Sequence, residues 1–243
     1  PNVTPEEAAL MHWMEPVADH APFQLKRVML FQDGRRLTQL HHYGDVARMP
    51  GSFWVDPDRR SLHLHSLDGE NPNQALMELA VRSHLFRPME VGLGFIRVAG
   101  LTFQHCANGF LRASTGAVTA LGGHHWLIER NTVREINSSG IEFGDSAFES
   151  KDPSPLNVNR KREVMGFNIV RDNEVSACGT AGIRSLNVNE GRVLRNRITD
   201  CGWQAAEYYF ECAGIKLLVN RHTLVEGNHI TGTFLTETGD YRY

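Results

Sequence analysis

Val170-Arg171-Asp172-Asn173-Glu174-Val175 and Val193-Leu194-Arg195-Asn196-Arg197-Ile198 are one phrase written twice: an apolar residue, Asn three positions on, and a β-branched residue two positions after that. It recurs as Ile128…Asn131-Thr132-Val133 and Val225…Asn228-His229-Ile230. Asn173 and Asn196 are 23 residues apart, Asn196 and Asn228 32, and Asn131 and Asn173 42. Gly-Ile follows nine residues after the first two Asn (Gly140-Ile141, Gly182-Ile183) and eighteen after the third (Gly214-Ile215). A 23-residue period broken at definite phases by inserts of nine and nineteen residues is the mark of a solenoid.

The period excludes helical repeats, which need over thirty residues with 3.6-periodic apolar faces. Apolar residues fall at −3, +2, +5 and +10 from each Asn, in short β-branched runs between Gly, Asn and Ser. That predicts an all-β fold, a right-handed parallel β-helix whose coils stack about 4.8 Å apart. The Asn column is expected at a bend, its amides bonding to one another and tolerating the left-handed conformation. Ile136, Cys178, Cys201 and Thr233 form a +5 column that reads as interior, with Cys as a small buried hydrophobe. A Cys178–Cys201 disulfide is geometrically feasible in such a stack but is not preferred.

Working outward, the coils are expected to start near Phe95, with Gly100 of Ile96…Gly100-Leu101-Thr102-Phe103 in the Asn place. Ahead of them, residues 28–31 and 37–42 flank Asp33-Gly34, and residues 53–55 and 62–65 flank Asp56-Pro57-Asp58. Both read as hairpins, so residues 1–70 are expected to form a β-hairpin or sandwich-like region and 71–243 the solenoid. Residues 5–14 suggest a short helix, and residues 75–81 read as a strand. Both ends look cut: there is no initiator Met or signal segment, and the fourth repeat shows no Gly-Ile pair before Tyr243. The compartment stays open between secreted or periplasmic and bacterial cytoplasmic.

Net charge −3 and pI near 6.5 give no reason to expect a nucleic-acid partner. No apolar run approaches the roughly 20 residues of a membrane span. Four Cys without metal-type spacing, and the short His pairs His41-His42, His63/His65 and His124-His125 without a third ligand in register, suggest neither a metal nor another cofactor.

An outward column follows the Gly-Ile pairs: Glu142, Arg184, Lys216. A solvated ion ladder is the plain reading, worth about 0–1 kcal/mol per pair. A ligand groove is the functional one, because loops leave the coils nearby, at 145–162 and 203–211. The second loop carries four aromatics and two carboxylates, and Trp203 is a candidate stacking platform for the apolar face of a sugar. Glu211 sits beside the charged column. His105 and His125 lie on the coil body and are weaker groove candidates, and Glu142 and Asp145 are weak catalytic ones.

Gly51-Ser52-Phe53-Trp54-Val55-Asp56, Gly100-Leu101-Thr102-Phe103, Cys201-Gly202-Trp203-Gln204 and Glu211-Cys212-Ala213-Gly214-Ile215-Lys216 carry a resemblance. From about Phe31 to the end the chain resembles the parallel β-helix glycoside hydrolases of the β-xylosidase type. The resemblance implies a substrate-binding role for Glu211 with Lys216 beside it, and assigns the early hairpins to a β-sandwich-like insert. It also implies a nucleophilic Asp on the coil after Tyr243 and an acid/base Glu one coil further. The expected function is therefore part of a retaining glycoside hydrolase that binds an oligosaccharide or polysaccharide. Lys216, Glu211, Trp203, His125 and Arg184 would line its pocket. Two alternatives stand beside it: a polysaccharide lyase using Lys216 or Arg184 near a uronate, and a non-catalytic glycan-binding β-helix.

Overall fold

The computed structural model describes residues 28–40, 42–56, 61–108, 116–144, 166–204 and 212–233. Contacts divide the chain into two units, Pro1–Arg82 and Ser83–Tyr243. In the first, β1 (Met29–Gln32) and β2 (Arg35–Arg36) form an antiparallel hairpin. Its turn residues Asp33 and Gly34 both have positive φ, 51° and 74°, which matches the twist of the flanking strands. The chain then leaves the hairpin. β3 (Thr38–Gln39) pairs in parallel with β4 (Ser52–Val55), which pairs antiparallel with β5 (Leu62–His65). A single helical turn, α1 (Tyr43–Val46), joins β3 to β4. β6 (Met77–Ala80) pairs along all of β1, which places it in the first unit. The predicted helix at 5–14 lies outside the described residues.

The second unit is the solenoid, and its strands fall into three parallel sheets. Sheet 2 stacks β7 (Arg97–Ala99), β10 (Leu127–Glu129), β13 (Ile169–Arg171), β16 (Arg192–Leu194) and β19 (Leu224–Glu226). Sheet 3 stacks β8 (Thr102–Cys106), β11 (Thr132–Ile136), β14 (Glu174–Cys178), β17 (Arg197–Thr199) and β20 (His229–Thr231). Sheet 1 stacks β9 (Val118–Thr119), β12 (Ile141–Glu142), β15 (Ala181–Leu186) and β18 (Ala213–Leu218).

The registers reproduce the sequence columns. Val98, Ile128, Val170, Val193 and Val225 align, as do Phe103, Val133, Val175, Ile198 and Ile230. Ile128, Val133, Ile141, Ile183 and Ile198 are fully buried, each contributing about 1.5–3 kcal/mol relative to exposure. Phe86, Phe103 and Trp126 pack edge-on at the first coils, with the Trp126 indole N–H donating to Leu93 O at 2.6 Å.

Register comes from the asparagines. Asn173 Oδ1 accepts the N–H of Asn131 at 3.0 Å and its Nδ2 at 3.1 Å. Asn173 Nδ2 donates to Ile128 O at 3.0 Å and to Asn196 Oδ1 at 2.9 Å. Asn196 repeats the pattern towards Asn228 and Val170 O. Every polar group of these buried amides is thereby used.

One expectation is corrected here. The left-handed residue is the one before each Asn (Arg130, Asp172, Arg195, Gly227), not the Asn itself. Gly100, with φ 72°, aligns with Arg130, and Leu101 takes the Asn place. A glycine suits that column because left-handed backbone costs other residues about 1–2 kcal/mol. The glycine of each Gly-Ile pair has a different cause. A Cβ on Gly182 would lie 2.7 Å from Ile198 Cγ2, and one on Gly140 2.9 Å from Cys178 Sγ, so the coil corner closes only on hydrogen.

Replacing Asn173 by Leu is expected to orphan at least two buried groups, a loss of about 2–6 kcal/mol at ~1–3 each. Urea unfolding should show a lower midpoint with little change of slope. Asn228→Leu, on the coil where Val225 and Ile230 are 46% and 44% exposed, should cost clearly less. Equal effects would contradict the ladder's role.

Candidate functional site

Side chains alternate across a strand, so Ile141, Ile183 and Ile215 enter the core and the residue after each points out. Strand pairing sets Thr119, Glu142, Arg184 and Lys216 at one register position on four adjacent strands. Three of the predicted site residues are thus brought together on the outer face of sheet 1. Thr119 and Glu142 are fully buried, while Arg184 and Lys216 are half-buried. Glu142 Oε2 accepts the Gly116 N–H at 3.2 Å. Gly116 must lack a side chain, because a Cβ would lie 2.7 Å from that of Glu142. Thr119 Oγ1 accepts the Leu121 N–H at 3.1 Å.

The stretches 109–115, 145–165 and 205–211 adjoin β9, β12 and β18 in sequence, so sheet 1 is the face beside which the inserts leave and rejoin the coil. Asp145 and Glu211 belong to these stretches and lie outside the described residues, as does Phe210.

Trp203 sits on the bend that leads from β17 towards β18, half-buried, with its indole N–H donating to Ala177 O at 2.9 Å. The following Gln204 reaches two coils back, donating to Asn137 Oδ1 at 2.9 Å. Gly179 makes room for it, since a Cβ there would lie 2.6 Å from Gln204 Cγ. The Cys-Gly-Trp-Gln phrase therefore pins the start of the second insert to the coil.

His125 lies elsewhere, on the bend between sheets 1 and 2. Its ring is stacked between Phe95 (centroids 4.7 Å, 21°) and Phe167 (4.8 Å, 16°). Both faces are covered, so His125 offers only its edge, and Nδ1 lies 2.9 Å from His124 Nδ1. His105 is one of the left-handed residues, within β8 of sheet 3.

The +5 column is interior at Ile136, Cys178 and Cys201, each fully buried, but not at Thr233, which is exposed on the last described coil. Cys106 extends the interior column on the coil before Ile136. Cys106, Cys178 and Cys201 are buried free thiols. Burial pushes the Cys106 thiol up to about 12, and burial followed by a hydrogen bond with Cys201 raises Cys178. Raised in this way, Cys106 and Cys178 pack as hydrophobes and are poor nucleophiles, while the hydrogen bond with Cys178 lowers Cys201. Among the described residues no group of three or more His, Cys, Asp or Glu is placed to hold a metal ion.

A charged cluster on sheet 2 escapes the sequence. The Glu129 side chain is 0% exposed; its Oε1 accepts Arg97 Nε at 2.9 Å and forms an ion pair with Arg130 Nη2 at 3.0 Å, and its Oε2 accepts Arg171 Nε at 2.8 Å. Arg97 and Arg171 come from neighbouring coils on either side. Arg97 stands two positions off the Glu129 column, so equal-phase alignment does not reveal the pair. With its oxygens saturated by arginines, this carboxylate is a clasp across three coils.

The fold and these columns define a right-handed parallel β-helix. A family model described as right handed beta helix region matches residues 115–239, just over half of the chain, and the chain belongs to that family. No curated protein matches the sequence. Among solved structures, that titled "The complex structure of XylC with xylose" superposes with a TM-score of 0.70 at 19% identity. The match covers 90% of this chain and 41% of XylC, and at that identity it establishes a shared fold.

The Glu129 clasp carries a pH signature. Hydrogen bonds from Arg97 and then Arg171 hold its carboxyl below the ordinary value of 4.5. A carboxyl lowered on folding stabilises the native state above its unfolded value, and that contribution is lost as pH falls through the folded one. The urea midpoint of Glu129→Gln should lie furthest below that of the parent at pH 7, and the gap should narrow progressively below about pH 4.5. A gap independent of pH would contradict the clasp.

Proposed function

We propose that this chain is the β-helix portion of a carbohydrate-active glycoside hydrolase, retaining and β-xylosidase-like, that binds its glycan on the outer face of sheet 1. The observation that carries this reading is the alignment of Glu142, Arg184 and Lys216 at one register position beside the sequence inserts. Polar side chains on consecutive rungs about 4.8 Å apart can each meet a different oxygen of one sugar. The shared fold with XylC, a protein whose structure is titled as a xylose complex, supports xylosides as the first ligands to try.

Retaining hydrolysis uses two carboxyl groups about 5–5.5 Å apart. Adjacent rungs of a parallel stack meet that spacing, so a β-helix suits such a pair. Within the described residues, Glu142 has Thr119 and Arg184 as its column neighbours, so no second carboxylate occupies the next rung. Under this proposal the chain supplies substrate binding. Lys216 and Arg184 hold sugar oxygens, Glu211 hydrogen-bonds hydroxyls and Trp203 walls the pocket from its anchored bend, while His125, on the other bend, is left out of it.

Calorimetric titration of the 243-residue chain with xylose and xylo-oligosaccharides tests the binding role. Saturable binding is expected, weakened roughly tenfold by Lys216→Ala and by Trp203→Ala, the loss that ~1.4 kcal/mol represents. Binding that survives both substitutions unchanged would place the glycan elsewhere.

A further inference from the structure

We infer that the first unit carries a glycan site of its own, a cleft beside α1 that takes one neutral sugar ring against Tyr43. This goes beyond the sheet 1 reading and does not depend on it, because the described residues lining the cleft all belong to the first unit. The cleft encloses about 760 Å³, within the roughly 300–1,000 Å³ of small-ligand sites. Its lining comes from α1, from β5, which is the end strand of its sheet, and from Ser66, Glu70 and Pro72.

The aromatic wall follows from strand alternation and one helical turn. Phe53 and Val55 belong to the core of the first unit, so Trp54 and its cross-strand partner His63 stand on the opposite face. Tyr43, the first residue of α1, packs on both. Its ring meets that of His63 edge-on at 4.9 Å between centroids and that of Trp54 at 5.4 Å and 59°. A lone exposed tyrosine calls for no explanation. Tyr43 is 58% exposed yet held by two other rings, so its free surface meets the cleft in a fixed orientation. A pyranose has an apolar face of C–H groups and a rim of hydroxyls, and a tyrosine ring with polar neighbours suits both.

The polar neighbours are acceptors. His65 Nδ1 lies 3.0 Å from Val46 O. A carbonyl only accepts, so Nδ1 carries the proton and Nε2 of the neutral ring is left as an acceptor. Glu70 adds an exposed carboxylate. Charge then decides the class of ligand. Among the described lining residues there is one carboxylate and no Lys or Arg, which opposes phosphates and sugar acids. An organic cation needs ring faces set around an open centre. These three rings instead lie 4.9–5.6 Å apart and pack on one another. A neutral sugar fits: it stacks on Tyr43 and donates hydroxyls to His65 and Glu70.

The experiment is amide and indole chemical-shift mapping of the isotope-labelled 243-residue chain, which reads this cleft and sheet 1 separately. The probes are two neutral glycans, xylotetraose and cellotetraose. Saturable shifts are expected with at least one of them at residues 43–47 and 62–66 and at the Trp54 indole N–H. Tyr43→Ala should raise the dissociation constant read from those signals roughly tenfold, while Tyr43→Phe, which keeps the ring, should stay within about threefold of the parent. Phe95→Ala removes a 78% exposed aromatic from the second unit and should leave them unaltered. Dispersed amide spectra establish that each variant is folded. Glu70→Ala, expected to weaken binding roughly threefold or more, takes the place of Tyr43→Ala should that variant not fold. A folded parent whose sheet 1 amides shift while the cleft stays silent overturns this inference and leaves the sheet 1 reading standing. The reverse pattern supports it and overturns the sheet 1 reading, and silence at both overturns both. Cleft shifts of equal affinity in the parent and in the folded variant also overturn it. So does a cleft that answers tetramethylammonium and neither glycan.

Discussion

Each coil hands its backbone polar groups to the next through an asparagine amide, and that exchange fixes everything above it. A solenoid has no long-range closure to choose its register, and a one-residue slip would turn every core side chain outward. The apolar columns supply the larger free energy, about 1.5–3 kcal/mol for each fully buried aliphatic against roughly 1 kcal/mol for a net hydrogen bond. Yet valine on valine is tolerant of displacement. The ladder from Asn131 to Asn228 is not, because both amide hydrogens and both acceptor directions are committed to particular partners one coil away.

Register then builds the outer surface with no further instruction. Once Ile141, Ile183 and Ile215 are stacked inside, Glu142, Arg184 and Lys216 must be stacked outside. The same logic produces two quite different charged features. On sheet 2 a carboxylate is surrounded by arginines from three coils and becomes a fastening. On sheet 1 the carboxylate of Glu142 is turned to a backbone N–H and, among the described residues, the buried Nε of Arg184 has no hydrogen-bond acceptor. Charge alone does not separate a structural cluster from a binding one. The count of satisfied donors and acceptors does.

Most of the solenoid was legible because its regularities are local: the period, the phase of the inserts, and the alternation that follows Gly-Ile. The hairpins at Asp33-Gly34 and between β4 and β5 were legible through turn chemistry. What stayed hidden depends on partners distant in sequence. The pairing of β6 with β1 and of β3 with β4 has no local signal. The placement of Gly100 was off by one, since glycine and asparagine both suggest left-handed backbone and only the register shows which column adopts it. One arm of the Glu129 clasp, Arg171, shares its column, but another, Arg97, stands two positions off it, and the stacking of His125 between Phe95 and Phe167 depends on how a bend repeats across coils. Of the candidate site, the charged column was readable and its hydrogen bonding was not; Glu211 and Asp145 stand outside the described residues.

The central claim is that the outer face of sheet 1 is where a glycan binds. Backbone amide chemical-shift mapping of the isotope-labelled chain during titration with xylo-oligosaccharide tests it most directly. The account predicts that the shifting amides cluster on β12, β15 and β18, around Glu142, Arg184 and Lys216. Shifts centred instead on the sheet 2 face around Glu129, or on the bend that carries His125, would contradict it.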